Sequence, residues 1–196
     1  MPNLSSRQQL FIGIALLVLM AATRSHHFVG ALHLLPDASW AVFFLAGALL
    51  GRSWLFALFC ILAAGIDWVA INLAGVSGFC VTPAYAMLLP AYGALWLAGH
   101  WFAKQRRIAL LPFLGAALIS AVAAELFSSG GFYFLGGRFA EPSLVEFLQR
   151  EAEYFPAMAG AMMLYLGLAA LAYLPFAKRQ HGDADGPRTL QPGIRN

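Results

Sequence analysis

From Ser53 to Ala103 the chain carries a single formally charged side chain, Asp67. A stretch that long without charge has no polar face to turn toward water, so its natural solvent is a lipid bilayer. Across the whole chain 11% of residues are charged and 61% are apolar, against about 25% charged in an ordinary soluble domain. The sequence therefore reads as an all-α integral membrane protein. The longest polar stretch is the tail from Lys178 to Asn196. The expected organisation is a transmembrane domain over 1–176 and a polar cytoplasmic tail over 177–196. The net charge of +3 does not indicate nucleic acid, because the basic residues punctuate the apolar runs.

Six apolar segments can be marked, at about Leu10–Ala22, Ser39–Gly51, Trp54–Val76, Ala84–Ala103, Ile108–Phe127 and Pro156–Phe176. The last four approach the ~20 residues a helix needs to cross a bilayer, and the first two are short. The start also has the layout of a secretory signal: Arg7, an apolar core and the pair Ala21-Ala22. Arg24 follows directly, and topological consistency favours a retained helix. With the N-terminus inside, nine Lys and Arg residues fall on the inner side and three, Arg24, Arg138 and Arg150, on the outer. The positive-inside rule then puts both termini in the cytoplasm. Trp54 and Trp101 fall at the inner interface and Trp40 at the outer.

The three connections on the outer side are unusually apolar. Phe28, Leu32, Leu34 and Leu35 lie in the first, Phe79 and Val81 in the second, and Phe132, Tyr133, Phe134 and Phe139 in the third. They read either as loops that fold over a ligand or as loops that dip into the interface. In the third, Gly130, Gly131, Gly136 and Gly137 allow tight turns. Ser143 and Glu146 have the spacing of a capping box, which predicts a short surface helix as far as Phe155.

Two groups at membrane depth stand out. Asp67 lies fifteen residues beyond Arg52, or ~22 Å along a helix, in the outer part of the membrane. Intramembrane carboxylates are costly and usually face a cavity or a partner. Cys80 lies in the outer run Gly78-Phe79-Cys80-Val81-Thr82-Pro83. As a thiolate it is a ligand for soft metals. Cys60, mid-span, reads as a small core hydrophobe. Glu125 approaches the same level as Asp67, and either acid has the alternative of bonding a neighbouring helix. Tyr85 and Tyr92 share one face of the fourth segment, with Tyr85 close to the cysteine. The histidines His26, His27 and His33 read as a solvated face. Gly47-x-x-x-Gly51 and Ala94-x-x-x-Ala98 permit close helix approach.

The runs Leu35–Gly47 and Gly78–Tyr85, continuing through Leu89-Pro90-Ala91-Tyr92, together with Gly130–Tyr133, resemble the BtuM family of bacterial cobalamin transporters. That family is similar to the substrate-binding S-components of energy-coupling-factor (ECF) transporters. The resemblance implies a six-helix bundle in the bacterial cytoplasmic (inner) membrane. It implies a pocket for cobalamin (vitamin B12) or a cobinamide-type corrinoid at the outer face, with Cys80 ligating cobalt and Asp67 and Tyr85 beside it. Thr82 and loop backbone groups would serve the amides of the ring edge, and Phe79, Phe132 and Tyr133 its flat faces. A thiolate on cobalt weakens the bond opposite, so removal of the upper axial ligand, as in decyanation of cyanocobalamin, is a further expectation. The chain departs from many S-components in the first helix. They carry Ala-x-x-x-Ala there, whereas Ala15 is followed four residues on by Leu19, which leaves docking to an energising ECF module open. The rival reading is a membrane redox protein that holds haem or uses Cys80 as a reactive thiol. No inward histidine pair and no Cys-x-x-Cys supports it.

Overall fold

A computed structural model describes the backbone of residues 4–24, 35–105 and 109–184, and the side chains of these as far as residue 172. His26, His27 and His33, like Phe28, Leu32 and Leu34, lie outside the described residues. Among the described residues six α-helices follow one another: α1 (Ser6–Arg24), α2 (Ser39–Leu49), α3 (Ser53–Leu73), α4 (Leu88–Ala103), α5 (Leu110–Leu135) and α6 (Leu144–Ala184). Two short 3-10 turns, Gly78–Cys80 and Pro83–Met87, link α3 to α4. There is no strand among the described residues. Helices suit a bilayer because each closes its own backbone hydrogen bonds where water cannot.

Four helices, α1, α3, α5 and α6, are long and apolar enough to cross a membrane. Their outward faces carry large apolar side chains in the open. Phe11 is 72% exposed, Ile61 69%, Leu111 82% and Leu171 63%. A water-soluble protein does not present so much contiguous apolar surface, whereas acyl chains solvate it. The protein is a membrane protein on both counts.

At the centre lies α2, which is apolar all round and accordingly buried. Trp40, Val42, Phe43, Phe44 and Ala46 are all in the core. It packs chiefly on α4, and also on α1, α3 and α6. Phe43 stacks on Tyr92 of α4, with ring centroids 4.1 Å apart, and meets Phe56 and Phe59 of α3 edge-on. The α2–α4 crossing depends on two glycines. A Cβ on Gly47 would collide with the carbonyl of Trp96, and one on Gly99 with the carbonyl of Phe44. Gly47 thus serves close approach as its sequence pattern predicts. Its counterpart is Gly99, while Ala94 and Ala98 line a groove between α4 and α5.

Several boundaries differ from the sequence expectation. The fourth segment is not one helix from residue 84. Pro83 starts a 3-10 turn, and α4 proper begins at Leu88, leaving 16 residues. Conversely, α1 at 19 residues is long enough to span. The glycine run 130–131, expected as a turn, is inside α5, where the bare Gly131 leaves room for the side chain of Met87. The expected short surface helix is the first part of the continuous α6, which passes through Pro156 and on past 176. Its start keeps half of the capping box. Ser143 Oγ accepts from the Glu146 N–H at 3.2 Å, while the Ser143 N–H goes to the Tyr133 hydroxyl at 3.2 Å.

Gly99→Ala is expected to destabilise the protein by about 1–3 kcal/mol, the range for overpacking a close contact. Gly160→Ala, where an added Cβ meets nothing within 4 Å, should leave stability unchanged. Melting of the two variants in detergent checks the pair.

Candidate functional site

A half-open cavity of about 530 Å³ lies at the end of the bundle that carries Cys80. This is the size range of small-molecule sites. Every α-helix contributes to its walls: α1 Arg24, α2 Trp40, α3 Asp67, α4 Leu88 and Tyr92, α5 Glu125, and α6 Glu151.

One wall is a charged network. Arg24, the last residue of α1, forks onto Asp67. Its Nε donates to Oδ1 at 2.7 Å and its Nη2 to Oδ2 at 2.6 Å. Nη1 donates to the Tyr92 hydroxyl oxygen at 2.8 Å and to Ser39 Oγ at 3.1 Å. Asp37 stands 3.8 Å from the same guanidinium and accepts both the N–H and the hydroxyl of Ser39. The Tyr85 hydroxyl donates to Asp67 Oδ2 at 2.6 Å. Three donors therefore converge on Asp67. It lines the cavity, as expected of it, yet its oxygens are committed to Arg24 and Tyr85. It acts as a clamp that joins α1, α3 and the turn before α4.

The opposite wall comes from α5 and α6. Glu125 is 6% exposed and accepts the hydroxyl of Ser129, one turn along its own helix. This bond stays within α5 and is not the bond to a neighbouring helix that was the alternative for it; its carboxyl group also borders the cavity. Tyr133 donates to Glu146 at 2.9 Å. Arg150 also grips Glu146 and lies over the rings of Tyr133 and Phe139.

Cys80 ends the 3-10 turn Gly78–Cys80, which Ser77 caps by accepting the Phe79 N–H at 3.3 Å. Its thiol is free and exposed and borders the cavity. Cys60 packs against the core from α3. Of the expected ligand contacts, the structure brings Asp67, Cys80, Tyr85 and Tyr133 together on the cavity. Phe79 and Thr82 are not in its lining. Phe79 instead packs on Phe132 and Arg138. The Thr82 hydroxyl oxygen is buried without a hydrogen-bond partner among the described residues.

Sequence reading missed Arg24 as a site residue and treated it only as an outer basic flank. The available signal was the unpaired Asp67 itself. A carboxylate at that depth needs a counter-charge, and Arg24 ends a helix at the matching level. Compared with models of known protein families and with curated proteins, the chain matches none.

Removing one partner of this pair should cost more than removing both, because a lone charge is left in a poorly solvated place. A double-mutant cycle of Arg24→Met and Asp67→Leu, read by unfolding in detergent, is expected to give a coupling of about 1–3 kcal/mol.

Proposed function

We propose that the protein is a corrinoid transporter of the BtuM kind, a six-span bundle in the bacterial cytoplasmic membrane with both termini inside. It captures cobalamin or a cobinamide-type corrinoid at its outer face and delivers it inward. The observation that carries this reading is the free, exposed thiol of Cys80 at the border of a half-open cavity in a membrane bundle. Among the described residues no three His, Cys, Asp or Glu side chains converge to hold a bare ion. A single thiolate therefore suits a metal that arrives with its equatorial positions already filled, and cobalt in a corrin is such a metal. The thiolate supplies one axial bond and donates electron density across the metal. In cyanocobalamin the thiolate would take the lower axial position as the nucleotide base leaves it, and its donation would weaken the bond to the cyanide opposite, which departs as cyanide ion with the bonding pair.

The surrounding groups support this reading. The rings of Phe132, Tyr133 and Phe139 give flat apolar surface, with the ring centroids of Tyr133 and Phe139 4.5 Å apart. The hydroxyls of Ser128, Ser129 and Tyr154 and the carboxylates of Glu125 and Glu151 are polar groups on the same cavity. They suit the amides of a corrin edge, which need partners when buried.

Two experiments test the reading. Purified protein mixed with cyanocobalamin is expected to shift the corrin absorption bands and release cyanide slowly. Cys80→Ser should lose both effects, and a spectrum indifferent to the cysteine would sink the proposal. In intact spheroplasts an impermeant thiol reagent should label Cys80, with hydroxocobalamin protecting it. Labelling only after rupture would reverse the assigned orientation.

A further inference from the structure

The segment that carries Cys80 is pinned from two sides by side chains of other elements. On its C-terminal side Asp67 holds Tyr85. On its N-terminal side stands Arg138, in the connection between α5 and α6. Its Nε donates to the carbonyl of Phe79, the residue before the cysteine, at 3.2 Å. Its guanidinium carbon lies 4.9 Å from the centroid of the Phe79 ring, in cation–π range. Phe79 in turn meets Phe132 of α5 edge-on at 5.7 Å. Gly137, with φ at 65°, makes the turn just before Arg138. Among the described residues no carboxylate pairs with Arg138. Its fork is thus committed to a backbone carbonyl and an aromatic face of the cysteine loop.

Between these two anchors the backbone holds itself only by short-range bonds. The Val81 N–H donates to the Gly78 carbonyl and the Tyr85 N–H to the Thr82 carbonyl, each at 2.9 Å. On either side of the cysteine the segment is open, with Phe79 52% and Val81 50% exposed, and it becomes buried only nearer α4, at Ala84. The direction of its thiol therefore depends on the anchors. An axial metal ligand must approach along one line, and groups that orient a ligand contribute to affinity although they never touch the metal.

We infer that Arg138 is a positioning residue for the Cys80 thiol: it aims the sulfur at the cavity through the Phe79 carbonyl and ring. The inference rests on the reading of Cys80 as the cobalt ligand. Arg138 also precedes Phe139, whose ring lines the cavity. The same connection thus touches both the ligand space and the loop that bears the thiol, and filling of one is linked to placement of the other.

The test uses the purified full chain and hydroxocobalamin. Arg138→Ala is expected to weaken Cys80-dependent binding roughly tenfold. It should also shrink the thiolate-ligated component of the spectrum at saturation, with an unchanged melting temperature, since the side chain is exposed. Arg138→Lys, which restores a donor and a cation, should recover part of the loss. Phe79→Leu keeps the carbonyl but removes the ring, and should give an intermediate loss. A saturated spectrum and affinity for Arg138→Ala equal to those of the parent overturn the inference while leaving the role of Cys80 intact. A parent whose spectrum does not differ from that of Cys80→Ala overturns both.

Discussion

The pairing of Arg24 with Asp67 is the interaction around which the Cys80-bearing end of the molecule is organised. A guanidinium and a carboxylate in a bilayer are each expensive alone, and together they are tolerable only with close geometry and further hydrogen bonds. Both conditions hold, because the fork is bidentate and Ser39, Tyr85 and Tyr92 complete it. The participants come from α1, the start of α2, α3, the turn before α4, and α4 itself. A change of angle in any of these elements strands a charge, so the network fixes their relative placement more firmly than apolar contact can. Apolar side chains repack within limits, but a charged fork does not.

Beneath this polar layer the bundle is held by the short, fully apolar α2. At eleven residues it is the shortest of the described α-helices, yet it is the most enclosed element, with the long helices arranged about it. Lipid gives no hydrophobic driving force between helices, so close packing must supply the association. The reciprocal contacts of Gly47 with Trp96 and Gly99 with Phe44 do this, and the Phe43–Tyr92 stack joins the packed layer to the charged one. Tyr92 belongs to both, with its ring on Phe43 and its hydroxyl on Arg24.

The cavity follows from where those two layers stop. The 3-10 turn Pro83–Met87 puts off the start of α4 to Leu88 and places Tyr85 beside Asp67. The space so vacated is closed by the extended ends of α5 and α6, whose aromatic rings and Glu146–Arg150–Tyr133 cluster form the far wall. The thiol of Cys80 borders this space on a segment held by Arg138 on one side and by Tyr85 on the other.

Much of this was legible in the residues. The scarcity of charge between Ser53 and Ala103 determined a helical membrane protein, because long continuous apolar runs suit helices, whereas the strands of a closed barrel alternate. The isolation of Asp67 and Cys80 marked the end of the bundle where the cavity lies. Ser143 declared the start of a helix through its capping oxygen. The tertiary structure alone decided the rest. Local pattern does not say that Asp67 is claimed by Arg24, a contact 43 residues away. Nor does it say that Gly130 and Gly131 are helical, since glycine permits a turn without requiring one and the packing of Met87 settled the matter. Phe79 and Thr82, close to Cys80 in sequence, fall outside the cavity lining, while Glu151 and Phe139 enter it. Which side chains border a space depends on helix rotation and on where a helix breaks. Both are set by contacts between distant segments, which the order of residues along one segment does not contain.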